Sequence, residues 1–204
     1  MVQGFGNVGS YAAFGLHEFG LKVIAVSDHT GALYDKSGLD IPLLMRHAGQ
    51  HGSIAGFSNE LAFDPAQLLT LPCDVLVPAA MERVIDARVA ESLKCRVLAE
   101  GANGPTTPDA DLVLEKRQDE IFVIPDILCN SGGVVVSYFE WVQDLQQLFW
   151  EEEEVTRREY HILDRAFDTM AMRAKADKIS HRTAAMAIGV EKVRAAKATR
   201  GLFP

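Results

Sequence analysis

Three glycines near the start of the chain have the spacing of a loop that can bind phosphate groups. They lie in the run Gly4-Phe5-Gly6-Asn7-Val8-Gly9, which fits the pattern G-x-G-x-x-G. Where such a loop joins a strand to a helix, its backbone N–H groups and the helix dipole can bind the pyrophosphate of a dinucleotide. Glycines with this spacing also occur in ordinary turns, so the neighbouring elements must decide between the two.

The segment after the loop contains the elements that dinucleotide binding requires. Residues 7–19 have apolar side chains at helical spacing, with Asn7 as the predicted N-cap and Gly20 as the predicted end. Residues 21–27 are rich in β-branched side chains, which is typical of a buried parallel strand. Asp28 follows, near the position where a Rossmann fold places a carboxylate for the adenosine ribose. This order favours a dinucleotide site over a structural turn.

The strand that should precede the loop is short. Only Met1, Val2 and Gln3 come before Gly4, whereas a typical strand has about five or six residues. In a doubly wound sheet this first strand is central and pairs on both sides. We therefore expect the chain to be cut at its start. Any targeting segment upstream would then be missing, and a cytoplasmic location is the default expectation.

The composition is that of a soluble globular protein. The 204 residues are 48% hydrophobic and 24% charged, which suits one large domain or two small ones. The net charge of -8 disfavours nucleic acids and anionic membranes as partners, since both bind basic surfaces. No apolar run is long enough to span a membrane. Because the six histidines and three cysteines lack the spacing of metal ligands, we predict no metal site.

Strands and helices alternate along the first part of the chain, which predicts an α/β fold with a Rossmann-like doubly wound sheet. After Asp28 we predict a turn at His29-Thr30-Gly31, followed by a series of strands and helices. The predicted strands are at 53–58, 73–77, 95–99 and 121–124. The predicted helices are at 39–47, 64–71, 86–93 and 107–116, and Asp64 and Thr107 are expected to cap two of them.

From Ser131 onward the pattern is helical. We predict three long helices, at 134–158, 161–178 and 182–199. The acidic run at 151–154 would lie inside the first of them, where a solvated helix face is favoured over a metal site. The sequence therefore predicts a dinucleotide-binding core over residues 1–137, with a truncated first strand, and a helical extension of the same domain over residues 138–204.

Ligands in an open α/β sheet bind beyond the carboxyl ends of the strands, so the residues at those ends are candidates for a site. Ala79 and Ala80 follow one strand and are small enough to let the backbone approach a flat ring. Asn103 and Asn130 follow two others, and each could bind a ligand or cap a turn or helix. Ser137 lies one turn into a predicted helix, where a serine usually bonds its own backbone or water.

Six motifs in order make the sequence resemble the coenzyme domain of a glutamate dehydrogenase, of the glutamate, leucine, phenylalanine and valine dehydrogenase family. The resemblance covers essentially the whole chain and is closest to the hexameric bacterial and archaeal type. In the leucine, valine and phenylalanine enzymes the fifth motif differs. The motifs are GFGNVG, VAVSD with HTGALYDKSGLDI, PCDVLVPAA, LAEGANGPTTPDAD, NSGGVVVSYFEWVQ and RTAAMAIGVEKVRAAKATRGLFP.

The resemblance implies hydride transfer between L-glutamate and NAD or NADP, giving 2-oxoglutarate and ammonia. It assigns the pyrophosphate to the glycine loop, the adenosine ribose to Asp28, and the nicotinamide end to Asn103 and Asn130. Val134 and Ser137 would line the substrate pocket, with the Ser137 hydroxyl on the side-chain carboxylate of glutamate. The positions assigned to the cofactor are Gly4, Phe5, Gly6, Asn7, Val8, Gly9, Asp28, Ala79, Ala80, Asn103 and Asn130.

The sequence departs from the family pattern because the segments with the catalytic lysine and the proton-shuttling aspartate are absent. We therefore expect no catalytic residue in this chain and no turnover by the chain alone. Two alternatives stay open, a free-standing nucleotide-binding module and a fragment of a branched-chain amino-acid dehydrogenase. The Asp28 carboxylate favours NAD over NADP, and a homo-hexamer is expected for the full-length enzyme.

Overall fold

A computed structural model describes residues 1–201. They form two compact units, one over Met1–Asp126 and a second that begins at Ile127. The first unit contains a seven-stranded sheet with the order β4-β3-β2-β1-β5-β6-β7. The division into domains at residues 1–137 and 138–204 stays a prediction. The strands are β1 (Val2–Gln3), β2 (Ala25–Asp28), β3 (Gly31–Tyr34), β4 (Ala62–Phe63), β5 (Val75–Pro78), β6 (Val97–Ala99) and β7 (Phe122–Ile124).

Eight α-helices and one 3₁₀ helix accompany these strands in the described residues. They are α1 (Asn7–Glu18), α2 (Ile41–His51), the 3₁₀ helix Pro65–Thr70, α3 (Ala87–Ser92), α4 (Pro108–Lys116), α5 (Asp126–Cys129), α6 (Gly132–Gln146), α7 (Glu152–Asp177) and α8 (His181–Arg200). The predicted Asp64 and Thr107 caps are confirmed, because each side chain accepts a hydrogen bond from a backbone N–H in the first turn of its helix.

The sheet is parallel at its centre. Strand β1 pairs in parallel with β2 on one side and β5 on the other, and β5, β6 and β7 continue in parallel. Strands β2 to β4 therefore lie on one side of β1 and strands β5 to β7 on the other. This reversal of strand order opens a crevice at the carboxyl ends of β1 and β5. The predicted α/β, Rossmann-like sheet is confirmed.

Strands β3 and β4 are antiparallel, and neither was predicted as a strand. Strand β3 pairs with β2 across the two-residue turn His29-Thr30, and β4 pairs with β3. Strand β2 is shorter than predicted, because the carbonyls of Val23 and Ile24 accept hydrogen bonds from Leu39 and Asp35 outside the sheet. The predicted strand at 53–58 is wrong, since this segment consists of bends and turns.

Helix α1 begins with Gly6 as its N-cap, and no side chain caps it. The prediction that Asn7 is the cap is therefore wrong, because Asn7 is already the first helical residue. At the other end Gly20 has φ +78°, and its N–H donates to the carbonyl of His17 while Leu21 N–H donates to that of Leu16. These bonds form a Schellman motif, so the predicted end at Gly20 is confirmed.

The predicted helix at 134–158 covers parts of two helices in the structure, and the predicted break between 158 and 161 is wrong because α7 runs without interruption from Glu152 to Asp177. Helix α6 ends at Gln146 and is followed by Gln147, whose φ is +54°, and α7 begins at Glu152. The connection is held by the backbone N–H of Trp150, which donates to Gln143 Oε1 over 2.6 Å, and by the Arg158 guanidinium 4.1 Å from the centre of the Trp150 ring. The acidic run therefore lies at the start of α7, where the helix dipole favours negative charge.

The core of the first unit occupies both faces of the sheet. Successive residues of a strand point to opposite faces. Accordingly, Ala25 and Leu76 are buried in one hydrophobic cluster, whereas Val26 and Val77 are buried in the other. Val2, in the central strand, is fully buried. Both faces are apolar, as expected for a parallel sheet covered on each side.

The Arg117 guanidinium closes the carboxyl end of helix α3. It donates to three carbonyls that lack partners within the helix, those of Ala90 at 2.7 Å, Glu91 at 3.2 Å and Leu93 at 3.1 Å. Unpaired carbonyls at a helix end need such partners when they are buried. Arg117 thus joins the segment after α4 to α3.

We expect Arg117→Met to lower the free energy of unfolding by about 2 kcal/mol, because it removes charge-assisted hydrogen bonds and leaves buried carbonyls unpaired. Urea denaturation measures the change. The matched control is Arg96→Met. Arg96 Nη1 lies 3.8 Å from Asp74 Oδ1, and the two side chains are 83% and 85% exposed. Ion pairs as exposed as this one contribute little to the free energy of unfolding. Equal losses in the two variants would contradict this role of Arg117.

Candidate functional site

The loops after strands β1, β5 and β6 meet at the carboxyl edge of the sheet. The Ala79 N–H donates to the Gln3 carbonyl over 2.7 Å, and the Ala102 N–H donates to the Pro78 carbonyl over 2.9 Å. A Cβ on Gly101 would lie 3.3 Å from the Ala79 Cβ. These loops are built from small residues, so their backbones line the crevice where the order of strands reverses.

Two glycines of the first loop are required by close packing. Gly4 has φ +98°, and a Cβ there would lie 2.9 Å from the backbone of Ala79 and Ala80. A Cβ on Gly9 would lie 1.9 Å from the Gly4 carbonyl oxygen. Neither position can hold a side chain unless the backbone moves, so these glycines fix the loop against its neighbours.

The middle glycine differs from the other two. A Cβ on Gly6 would meet no atom within 4 Å, and Gly6, Asn7 and Val8 are exposed whereas Phe5 is buried in the core. The first N–H groups of a helix have no acceptor within the helix, and α1 has no side-chain cap. The open space beside Gly6 therefore lies where backbone donors and the helix dipole can bind an anion, as a pyrophosphate would require.

Asp28 ends strand β2 and is bound by its own chain. Its Oδ1 accepts hydrogen bonds from the Thr30 N–H at 2.7 Å and the Thr30 hydroxyl at 2.5 Å, and its Oδ2 accepts from the Ile54 N–H at 2.8 Å. Burial by itself raises the pKa of Asp28, but these hydrogen bonds outweigh it and the net pKa is lowered. The side chain is therefore a carboxylate at neutral pH.

Asn103 lies on the loop after β6. It is exposed, and it precedes Gly104, whose φ is +55°. The loop is bonded to the rest of the unit on two sides, by Glu100 and Asp126 on one and by Arg83 and Ile85 on the other. An exposed polar side chain is thus held on a fixed backbone.

The remaining predicted residues belong to the second unit. Asn130 precedes α6, and Val134 and Ser137 lie on its first two turns. Their spacing of i, i+3 places Val134 and Ser137 on the same face of the helix, and both are exposed. Their contribution to the site stays a prediction.

Several groups near the site were not predicted as functional. Thr30 and Ile54 hold the Asp28 carboxylate, and Glu100 is fully buried beside the Asn103 loop. The spacing of Asp28 and Thr30, two residues apart, is typical of a turn in which a carboxylate accepts from the backbone, so it could have predicted the first contact. Gln3 Oε1 is buried without a hydrogen-bond partner.

Within residues 1–201, histidine, cysteine, aspartate and glutamate side chains form no group of three or more that could hold a metal ion. In the same part of the chain, every helix is too short or too polar to cross a membrane.

A model of the glutamate/leucine/phenylalanine/valine dehydrogenase family matches residues 1–201. The chain belongs to this family. The predicted resemblance is thereby confirmed. Among family members, the glutamate dehydrogenase of Thermotoga maritima is 45% identical over 205 residues, covering 100% of this chain and 49% of that protein. The NAD-specific glutamate dehydrogenase of Staphylococcus aureus is 41% identical over 201 residues, covering 98% of this chain and 48% of that protein.

Solved structures of the family have the same fold. The hetero-hexameric glutamate dehydrogenase of Thermus thermophilus in its leucine-bound form has a TM-score of 0.89 and 34% identity, over 100% of this chain and 48% of that one. The enzyme of Peptoniphilus asaccharolyticus has a TM-score of 0.81 and 33% identity, over 99% and 47%. The chain thus spans about half the length of each of these relatives.

The lowered pKa of Asp28 predicts a pH-dependent contribution to stability. A carboxylate whose folded pKa lies below its unfolded pKa of about 3.9 stabilises the fold above that pH and loses this contribution as pH falls through the folded pKa. We therefore expect Asp28→Asn to lower the melting temperature at pH 7, with a smaller difference from the wild type at pH 3. The control is Asp119→Asn at an exposed turn. A difference that is the same from pH 7 to pH 3 would contradict the prediction.

Proposed function

We propose that this chain is the NAD(P)-binding part of a glutamate dehydrogenase, an oxidoreductase that converts L-glutamate to 2-oxoglutarate and ammonia. The observation that carries the proposal is the glycine loop. At Gly4 and Gly9, neighbouring backbone occupies the space that a side chain would need. The space beside Gly6 is open, and it lies at a helix terminus that no side chain caps. Glutamate dehydrogenases among the family members that the chain matches support the substrate.

In this proposal the backbone of Gly4, Gly6 and Gly9, with Asn7 and Val8 beside it, binds the pyrophosphate through N–H groups at the start of α1. Asp28, at the end of the neighbouring strand, accepts a hydrogen bond from the adenosine ribose. Its negative charge opposes a 2′-phosphate, so we propose NAD as the preferred coenzyme over NADP. The NAD-specific relative from Staphylococcus aureus supports this preference.

The nicotinamide end of the cofactor would lie over the loops after β5 and β6. Ala79 and Ala80 let the backbone approach the ring, and Asn103 offers an amide that can donate to and accept from the carboxamide. We assign Asn130 to the same end of the cofactor. These residues would hold the nicotinamide, which would supply the hydride acceptor for oxidation at the α-carbon of the substrate.

The substrate residues of this chain would be Val134 and Ser137. The Ser137 hydroxyl can donate a hydrogen bond to the side-chain carboxylate of glutamate, which leucine and valine lack. This assignment favours glutamate over a branched-chain amino acid. We assign no general acid or base to the chain, and we expect the chain alone to bind coenzyme without turnover.

For the full-length protein we propose a homo-hexamer. Light scattering would measure the mass of the assembly. The Thermus thermophilus relative is described as a hetero-hexamer, which supports assembly of this size.

Replacing Gly6 tests whether the glycine loop binds the pyrophosphate of the coenzyme. In Gly6→Ala the new methyl group would occupy the open space where the pyrophosphate is expected, so we predict at least a tenfold weaker affinity for NADH. The melting temperature should change little, because the methyl meets no protein atom within 4 Å and an alanine N-cap costs about 1 kcal/mol or less relative to glycine. Isothermal titration calorimetry measures the affinity.

The matched control is Gly15→Ala, inside the same helix, where an added Cβ also meets nothing within 4 Å. It should leave NADH binding unchanged, and equal affinities for Gly6→Ala and Gly15→Ala would reject the proposed pyrophosphate site.

Titrating the wild type with NADPH tests the coenzyme preference. Affinity for NADPH equal to or above that for NADH would contradict the proposed role of Asp28.

Ser137→Ala in the full-length protein tests the proposed contact between Ser137 and the side-chain carboxylate of glutamate. Losing a hydrogen bond to a charged group costs roughly 1.5 to 3 kcal/mol, so we expect the KM for glutamate to rise by about tenfold or more. The KM for the coenzyme should stay unchanged, which serves as the internal control. Steady-state kinetics with an unaltered KM for glutamate would exclude Ser137 from the substrate pocket.

A further inference from the structure

We propose that Glu100 is a positioning residue that fixes Asn103 at the nicotinamide end of the cofactor site, an inference that rests on the proposed function. Glu100 follows strand β6 directly, and its side chain is fully buried. Its Oε1 accepts a hydrogen bond from the Thr106 hydroxyl at 2.5 Å, and its Oε2 accepts from the Asp126 N–H at 2.9 Å. One carboxyl group therefore links the far end of the Asn103 loop to the segment after β7.

A second carboxylate holds the same loop. Asp126 Oδ2 accepts from the Gly104 N–H at 2.8 Å, so Glu100 bonds to the backbone of Asp126 while the side chain of Asp126 bonds to the loop. The carboxylates thereby fix the loop at Gly104, next to Asn103, and at Thr106. The chain between these two points is Pro105 alone, which has a restricted φ.

The opposite side of the loop is held by backbone hydrogen bonds. The Arg83 N–H donates to the Gly104 carbonyl at 2.8 Å, and the Ile85 N–H donates to the Pro105 carbonyl at 2.9 Å. Ile85 and Thr106 also form an isolated parallel bridge. Since residues 104–106 are held on both sides, Asn103 is the exposed residue at the edge of a rigid segment.

Burial of a carboxyl group is costly, and a leucine or methionine of similar size would fill the same volume without that cost. A buried acid here has a geometric use, because its two oxygens accept from the Thr106 hydroxyl and the Asp126 N–H together, which no apolar side chain can do. We infer that the bonds hold the loop in one conformation, so that the Asn103 amide is oriented before the coenzyme binds.

The test compares two ligands of this chain, NADH and ADP-ribose, which lacks the nicotinamide. The dissociation constant of ADP-ribose divided by that of NADH, both measured by calorimetry, reports what the nicotinamide end contributes, and this ratio falls when NADH alone binds more weakly. Thr106→Val removes the hydroxyl that Glu100 binds and keeps the shape of the side chain. We expect NADH to bind roughly three- to tenfold more weakly, as for the loss of about one hydrogen bond, with ADP-ribose affinity unchanged within about twofold.

Two variants make the test specific. Thr106→Ser keeps the hydroxyl and should restore the wild-type ratio. Thr70→Val removes a hydroxyl that donates to the Gln67 carbonyl in the 3₁₀ helix, so it controls for loss of any such bond and should leave the ratio unchanged. Glu100→Ala, with its folding checked by thermal unfolding, should lower the ratio at least as far as Thr106→Val.

The outcomes separate this inference from the proposed function. If Thr106→Val keeps the wild-type ratio, or weakens both ligands equally, Glu100 has only a structural role and the inference fails while dinucleotide binding stands. If the wild type binds NADH and ADP-ribose equally, the nicotinamide end contributes nothing here and the inference fails again. If it binds neither, the proposed function itself fails, and the inference fails with it.

Discussion

The close approach of helix α1 to the loop in front of it is the constraint on which the candidate site depends. A Cβ on Gly9 would lie 1.9 Å from the Gly4 carbonyl oxygen, so the first turn of the helix and the end of strand β1 touch backbone to backbone. This contact holds the start of α1 against the end of β1, so the N-terminal N–H groups of the helix lie at the carboxyl edge of the sheet. The anion-binding geometry that we propose for the loop follows from this packing, without any charged side chain.

The same strand that leads into the loop also joins the two halves of the sheet. Val2 pairs with Val26 on one side and Val77 on the other, and it is fully buried. Residues at the ends of β1, β2 and β5 are thereby set next to one another by backbone pairing, which is why Gly4 and Ala79 touch although they are far apart in sequence. Stability and the placement of the site depend on one element, so a change in β1 would disturb both.

The sequence predicted the parts of the fold that depend on local patterns, and missed those that depend on distant partners. Gly4 and Gly9 were identified from the spacing of the glycine loop, and Gly20 from its place at the end of a helical pattern. In the structure the first two are closely packed and the third has a positive φ. The end of α6 was missed because Gln147 adopts a positive φ that its residue type does not signal. Strand β3 was missed because its four residues are a strand only through pairing with β2.

In the candidate site, too, features that depend on local sequence could be predicted and features that depend on distant partners could not. Asp28 could be found from its place after a strand, but its contact with Ile54 joins residues that no local pattern connects. The buried carboxyl group of Glu100 was also hidden, since glutamate is ordinarily exposed and only the folded loop reveals its two donors. Contacts that close a loop from a distance are properties of the tertiary structure, so a single sequence gives little sign of them.

The hydrogen bonds within the chain also limit what Asp28 can do for a ligand. A carboxylate has about four acceptor positions, and Oδ1 already accepts two hydrogen bonds from Thr30 while Oδ2 accepts one from Ile54. One position on Oδ2 remains, which suffices for a single ribose hydroxyl and not for a pair. In the proposed complex, Asp28 would therefore discriminate between coenzymes mainly by its charge, whose effect on a 2′-phosphate does not need a free acceptor position.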